Sequence, residues 1–199
     1  EAKRGELPAA QYKEIRLEKS VRVPMRDGIR LSTDFYFPHN AKTPLPIVII
    51  RLPYGKNNFS GLRKPGSVGH FFAGQGYIVA VQDMRGRFES EGEYTVSAAD
   101  RNDGFDFVDW LSKQSWSTGK VGSYGCSYLG ENQYQLAATR HQNHTTAIAQ
   151  AGGGAYIGTG RPFALLDGGV PDLASGLGWF WHAGEKNFAQ LPKNLPDEK

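Results

Sequence analysis

The serine at residue 127 lies in the segment whose residue types and spacing are most typical of a catalytic nucleophile. Residues 116–130 predict a short buried strand, a sharp turn with the serine at its apex, and then a helix. Such a strained strand–turn–helix raises a serine Oγ above the edge of a sheet. Gly125 removes a side chain that would collide with the helix start, and Gly130 lets helix and strand approach closely. Because Leu129 displaces the second glycine from a strict G-x-S-x-G pattern, a glycine-rich turn with an inert serine is the alternative.

Alternating strands and helices must position this turn. The predicted strands are 15–24, 29–37, 46–50, 77–81, 121–125 and 147–149, and the predicted helices are 70–75, 97–114 and 128–140. The first two strands form a hairpin, and the next two are apolar β-branched runs typical of strands buried on both faces. This order predicts an α/β fold with a mostly parallel, doubly wound sheet. Ligands bind beyond the carboxyl ends of such strands, where the loops after Ile50 and Val81 meet Ser127.

Composition limits the class of protein. The chain has 199 residues, of which 39% are hydrophobic and 22% charged, as in ordinary soluble proteins. It has no apolar run of 18 residues that would predict a membrane-spanning helix. Its formal charge of +3 is spread without a basic stripe, which argues against nucleic-acid binding. No pattern indicates a metal or cofactor. The single Cys126 excludes an intrachain disulfide, so a cytoplasmic, periplasmic or secreted location stays open.

Several short motifs occur in a fixed order along the chain. They are Met25–Gly28 in the hairpin, Arg51–Lys56 after a strand, Gln82–Arg87 with Ser90–Glu93, Trp110 and Trp116 before Gly119–Gly122, and Gly125–Gly130. As a set, over roughly residues 15–155, they resemble the cocaine esterase, α-amino acid ester hydrolase and X-Pro dipeptidyl-peptidase family of α/β-hydrolases. The nucleophile turn of that family is G-x-S-Y-x-G, which Leu129 fits.

The resemblance implies a domain organisation. Residues 12–155 would be the N-terminal part of an α/β-hydrolase catalytic domain, and residues 156–199 the start of a helical cap that ends in a polar tail. Four aromatic residues of the cap segment indicate either an apolar acyl pocket or ordinary core: Phe163, Trp179, Phe180 and Trp181.

The resemblance also implies a chemistry. Ser127 would attack an ester or amide carbonyl and form an acyl-serine intermediate. The backbone N–H of Tyr128 and the phenol of Tyr54 would form the oxyanion hole. As an alternative, Tyr54 would be a surface-loop tyrosine. The side chain of Tyr128 is expected to pack the helix start, since only its backbone is assigned to the chemistry.

Three further residues near these motifs have simpler interpretations. Cys126 precedes the apex and is expected to point into the core as a small hydrophobe, which disfavours it as the nucleophile. Asp83 and Arg85 are expected to hold a loop through a buried ion pair and hydrogen bonds, without a direct catalytic role.

The chain offers no good base for the serine. Its five histidines are His39, His70, His141, His144 and His182. A helix of about 13 residues would put His141 and His144 near 20 Å from Ser127 Oγ. In α/β-hydrolases the acid and the histidine follow the serine in sequence. The chain is therefore a piece of a longer protein, one chain of a processed enzyme, or an inactive relative. We favour the second, with obligate association to a C-terminal fragment that supplies Asp and His.

The predicted function is thus a serine hydrolase that cleaves a small-molecule ester or amide. Leu129 stands where α-amino acid ester hydrolases commonly carry an acidic residue, which favours simple acyl esters or amides, and X-Pro dipeptide release is disfavoured. The alternatives are acyl transfer to an amine and a non-catalytic binding or scaffold module with the same fold.

Overall fold

The computed structural model describes residues 8–57, 67–95 and 99–152 of the chain. They belong to the first of the two units into which the chain divides, Glu1–Gly154. The described residues form β1 (Ile15–Pro24), β2 (Arg30–Pro38), β3 (Leu45–Leu52), α1 (Val68–Gly74), β4 (Ile78–Asp83), α2 (Asp100–Ser112), β5 (Ser117–Cys126), α3 (Tyr128–Ala137) and β6 (His144–Gln150). The predicted cap, its tail and the boundary at 155/156 lie outside the described residues.

The strands form one sheet in the order β1-β2-β4-β3-β5-β6. β2 pairs antiparallel with β1 and with β4, whereas β4, β3, β5 and β6 run parallel. This confirms the prediction of a mostly parallel sheet that opens with an antiparallel hairpin. The chain passes from β3 to β4 on one side and then returns to place β5 on the other side of β3. This reversal is a topological switch point, where open α/β sheets bind ligands.

The two faces of the sheet carry separate apolar clusters. Along β3, Ile47 and Ile49 join the cluster that packs on α2, and Ile50 joins the cluster that includes Ala73 of α1. Successive strand residues point to opposite faces, so an apolar run without alternation fills both clusters. The apolar run of β3 therefore predicted correctly that this strand is covered on both sides.

Element boundaries differ from the predictions by a few residues. β5 begins at Ser117 rather than 121 because Ser117 already pairs with Leu45 of β3. α3 ends at Ala137 rather than 140, and Arg140 has φ 54°, which ends the helical path. None of the helices in the described part of the chain is long and apolar enough to cross a membrane.

Candidate active site

Ser127 occupies a strained turn between β5 and α3. Its backbone has φ 60° and ψ −127°, a region that non-glycine residues rarely adopt. The turn is held on both sides, because Ser127 N donates to Gln150 O at 3.0 Å and Ser127 O accepts from Gly130 N at 2.7 Å. Ser127 is exposed, whereas the residues that follow it are buried. Strain of this kind persists only where the surrounding structure enforces it, and it is common at catalytic sites.

The two glycines that flank the serine are sterically required, as the sequence predicts. A Cβ on Gly125 would lie 2.3 Å from Leu129 Cβ. A Cβ on Gly130 would lie 2.7 Å from the carbonyl oxygen of Gln150 in β6. Both distances are far inside van der Waals contact, so any larger residue would push α3 away from the sheet.

Cys126 does not point into the core, and that expectation was wrong. The thiol is free and exposed. Cys126 is the last residue of β5 and lies beside the exposed Ser127, past the buried middle of the strand.

The register of the sheet brings the segments that carry Tyr54 and Ser127 to the same edge. β3 and β5 are neighbouring parallel strands, and Ile49 pairs with Ser123. Extended by three residues, this register sets Leu52, the end of β3, level with Cys126, the end of β5. Tyr54 therefore leaves the sheet beside the turn at Ser127. Its partly buried ring packs on the apolar cluster that contains Leu129.

The loop that carries Tyr54 is held from the loop after β4. Arg87 Nε donates to Pro53 O at 2.9 Å, and Lys56 N donates to Asp83 Oδ1 at 2.7 Å. These two bonds fix the backbone immediately before and shortly after Tyr54. Gly55 between them has φ +89°, and a Cβ there would lie 2.8 Å from the ring of Phe88.

The ammonium of Lys56 is fully buried among three carboxylates. Its Nζ lies 2.6 Å from Glu89 Oε2, 3.5 Å from Asp83 Oδ2 and 3.6 Å from Asp34 Oδ1. Burial raises the pKa of Asp83. The hydrogen bond from Lys56, followed by that from Ser20, holds the pKa of Glu89 far below its usual range. Sequence reasoning missed this cluster, although Lys56 and Asp83 both lie in the motifs it had identified.

Asp83 and Arg85 each hold a loop, but they do not pair with each other. Asp83 binds Lys56, as described above, and Arg85 lies between two other acids. Its Nη1 is 2.8 Å from Asp27 Oδ2 and its Nη2 is 2.6 Å from Asp103 Oδ1. These contacts raise the pKa of Arg85, with the hydrogen bond to Asp103 as the largest cause.

The side chain of Tyr128 packs under the start of α3, as the sequence analysis expects. It is buried, and its hydroxyl donates to Asp100 Oδ2 at 2.7 Å. Burial raises the pKa of Asp100 to about 6, against the opposing effects of Arg51 and of the Tyr128 hydrogen bond. Sequence reasoning missed Asp100. The available signal was an acidic residue at the predicted start of a helix, which ordinarily indicates only a favourable helix terminus.

Two buried guanidinium groups border this region. Arg51 Nη1 donates to the carbonyl of Asp100 at 2.9 Å, and the Arg87 guanidinium lies 5.1 Å from the centre of the Tyr94 ring. Within the described part of the chain, Arg51 Nη2 and Arg87 Nη1 are buried without a hydrogen-bond partner. Unpaired buried donors are costly, and each requires an explanation such as function or a bound water.

A different serine contacts a histidine, but their chemistry is not that of a nucleophile and its base. Ser123 Oγ lies 2.9 Å from His144 Nε2 and donates to Gln133 Oε1 at 2.9 Å. The hydroxyl proton is thus committed to Gln133, so His144 donates to Ser123 rather than accepting from it. Ser123 is also buried, which keeps it from substrate.

His144 is far from Ser127. It pairs with Val121, six residues before Ser127 on β5. At about 3.3 Å per residue this separates them by roughly 20 Å, which agrees with the sequence-based distance.

The other histidines contact other residues. His39 lies 3.9 Å from Glu14, and His141 lies 4.0 Å from Asp109. His70 Nδ1 lies 3.0 Å from Ser67 Oγ. His182 is outside the described residues.

Comparison with known proteins finds similar sequences and structures among esterases and related hydrolases. Cocaine esterase from Rhodococcus sp. (strain MB1 Bresler) is 41% identical over 120 residues, which cover 60% of this chain and 21% of that protein. An α-amino acid ester hydrolase structure has 30% identity and a TM-score of 0.61, covering 74% of this chain and 27% of the other. A CocE/NonD family hydrolase from Staphylococcus aureus has a TM-score of 0.73 at 23% identity, covering 95% and 37%, and shows the fold alone.

The chain spans about a fifth of the length of the cocaine esterase that it matches. Residues 27–194 match the family described as X-Pro dipeptidyl-peptidase (S15 family). That match covers most of the chain, and the α/β sheet agrees with the structures of the relatives. The chain therefore belongs to the X-Pro dipeptidyl-peptidase (S15) family and has the α/β-hydrolase fold.

Proposed function

We propose that Ser127 is the nucleophile of an acyl-transferring serine esterase or amidase. The observation that carries this proposal is the exposed serine with φ 60° at the β5–α3 turn. That geometry costs backbone energy of order 1–3 kcal/mol. An inert glycine-rich turn would not require a serine in this conformation, because glycine would adopt it without strain.

Two donors are proposed for the oxyanion. The Tyr128 N–H stands at the first position of α3, where helix N–H groups have no intrahelical partner. The Tyr54 phenol leaves the sheet from the strand next to β5. A phenol and a peptide N–H directed at the developing charge stabilise the tetrahedral intermediate more than the substrate.

The reaction then proceeds in two steps, acylation of the serine and hydrolysis of the acyl-serine. Ser127 Oγ forms a bond to the carbonyl carbon while its proton passes to a histidine. The tetrahedral intermediate collapses, the bond to the leaving alcohol or amine breaks, and the histidine returns the proton to that leaving group. Water, deprotonated by the same histidine, then attacks the acyl carbon. The bond from that carbon to Ser127 Oγ breaks, the histidine returns the proton to Oγ, and the carboxylic acid is released.

The histidine and its orienting acid are proposed to come from a C-terminal segment or from a second chain of the same precursor. β6 supports this idea. It pairs with β5 on one side, is the edge of the sheet as described, and has mostly exposed residues, including Ile148 at 45%. Parallel strands are ordinarily covered on both faces, so further elements of the same fold would complete this edge. A monodisperse, active 21.9 kDa species would contradict this proposal.

The proposed substrate is a small ester or amide with a simple acyl group. Leu129 is buried and packs on the cluster that also contains Tyr54. It offers no charge to bind a substrate ammonium group, which favours an uncharged acyl part. Acyl transfer to an amine uses the same intermediate, and product analysis with an added amine separates it from hydrolysis. A binding module with an inert site is the alternative from another class.

A fluorophosphonate probe tests the proposal in the complete protein that contains this chain. Covalent labelling of Ser127, lost in Ser127→Ala, is expected. Cys126→Ala is the matched control, because it removes the exposed neighbouring nucleophile and keeps the turn; it should label like the wild type. Absence of labelling with every chain present would favour the binding module.

A further inference from the structure

A buried hydrogen bond joins the first residues of two helices directly below the nucleophile turn. Asp100 begins α2 and Tyr128 begins α3. The Tyr128 hydroxyl donates to Asp100 Oδ2 at 2.7 Å, and both residues are only 4% exposed. Tyr128 is the residue after Ser127, and its own N–H is the proposed oxyanion donor.

The same contact is linked to the strand that leads to Tyr54. Arg51, near the end of β3, donates from Nη1 to the carbonyl of Asp100 at 2.9 Å. The carbonyl of Arg51 in turn accepts from Asn132 Nδ2 of α3 at 2.8 Å. The end of β3 and the starts of α2 and α3 are thus connected by polar contacts that fix their relative positions.

A buried carboxyl group at this position has a desolvation cost that an apolar side chain, which would pack equally well, does not have. Its surroundings are the cationic Arg51 of β3, the acidic Asp103 of α2 and Glu131 of α3, and the phenols of Tyr94 and Tyr128. Burial raises the pKa of Asp100 to about 6, which measures how unfavourable its ionised form is there. When ionised, the group accepts a charge-assisted hydrogen bond about twice as strong as a neutral one. The stronger hydrogen bond holds Tyr128, the residue beside the nucleophile.

We propose that Asp100 is a positioning residue for acyl transfer, which acts through the Tyr128 hydroxyl to fix the backbone N–H of residue 128 beside Ser127. This inference rests on the proposed function. A donor aimed at the oxyanion contributes only if it is held in place before the reaction, and small displacements of such groups reduce the rate strongly. The side chain of Tyr128 connects Asp100 to the peptide group of Tyr128.

Kinetics of variants of the complete protein test the inference, with a chromogenic acyl ester as the probe. Asp100→Ala and Tyr128→Phe should each lower kcat about tenfold or more, the effect of losing one buried hydrogen bond. KM should stay within about twofold, because the contact positions a donor for the transition state. Asp100→Asn keeps an acceptor for the hydroxyl and should recover part of the loss. The double variant should be no slower than the slower single variant.

Asp103→Asn is the matched control. Asp103 lies in the same first turn of α2 and is equally buried, but it binds Arg85 rather than Tyr128. Its substitution should lower the melting temperature and leave kcat per labelled site unchanged. Should Asp100→Ala not fold, Tyr128→Phe decides alone, because it removes only one hydroxyl.

The outcomes separate this inference from the proposed function. Unchanged kcat in Tyr128→Phe and Asp100→Asn, with wild-type hydrolysis that depends on Ser127, would overturn the inference only. A loss of kcat in Asp103→Asn as large as in Asp100→Asn would also overturn it, because it would reduce the effect to helix stability. Hydrolysis that persists in Ser127→Ala would overturn both.

Discussion

The ammonium nitrogen of Lys56 lies 2.6 Å from Oε2 of Glu89, in a position where the lysine side chain has no contact with solvent. Glu89 also accepts hydrogen bonds from Ser20, Ser32 and Asn57. The two residues thereby join the loop after β3 to the loop after β4. Since Tyr54 is two residues from Lys56, the position of the proposed oxyanion phenol depends on this ion cluster.

Lys56→Met tests that dependence. Removal of the ammonium leaves buried carboxylates without their cation, so the free energy of unfolding should fall by about 3–5 kcal/mol. Urea titration measures it. Lys113→Met is the control, because Lys113 forms an exposed pair with Asp109 whose loss should cost less than about 1 kcal/mol. Equal effects of the two substitutions would contradict a structural role for the cluster.

Tyr54→Phe tests the phenol itself. If the hydroxyl donates to the oxyanion, kcat should fall about 10²–10³-fold with little change in KM. Steady-state kinetics on an acyl ester measure both constants. Tyr77→Phe, at a tyrosine that is 38% exposed, should behave as the wild type. A Tyr54→Phe enzyme with full kcat would remove the phenol from the mechanism.

Gly130→Ala tests the close approach of α3 to β6. The new Cβ would lie 2.7 Å from a backbone oxygen of Gln150, so the helix must shift, at a cost of about 1–3 kcal/mol. Fluorophosphonate labelling of Ser127 should slow with it. Gly28→Ala is the comparison: Gly28 has φ +86° but no atom within 4 Å of the added Cβ. It should destabilise through backbone strain and leave labelling unchanged; parallel loss of labelling would contradict the steric argument.

The ionisation of Asp100 predicts a pH dependence of stability. Its pKa rises from 3.8 to about 6 on folding, so the folded state holds the proton more tightly than the unfolded state. The resulting stabilisation is fully present below pH 3.8 and is lost as the pH rises through 6. This difference in pKa between the two states corresponds to about 3 kcal/mol. Asp100→Asn should therefore gain stability relative to the wild type between pH 4.5 and 7.5, as measured by urea titration.

Ser112→Ala is the control for that experiment, because it changes an uncharged side chain of the same helix, α2. It should reproduce the pH dependence of the wild type. If Asp100→Asn did so as well, the carboxyl would not be a buried ionisable group. Together with a loss of kcat, a gain in stability at neutral pH would show that Asp100 reduces folding stability for the benefit of activity.

Much of the fold was predictable because its signals are local. The apolar runs of β3 and β4 follow from burial on both faces, and the glycines at 125 and 130 from the close packing of α3. The burial of Cys126 was predicted wrongly, because it lies at the end of β5, and no local pattern records how far the folded structure covers that end.

By itself, the sequence determined the order of strands and helices, the turn at Ser127 and the membership of a hydrolase family. Each of these depends on residues close together in the chain. Only the tertiary structure decided which charges meet: Lys56 with Glu89, 33 residues later, and Tyr128 with Asp100, 28 residues earlier. The reason is physical. A buried charge pairs with whatever the packed elements bring within a few ångströms, and this depends on three-dimensional packing rather than on spacing along the chain.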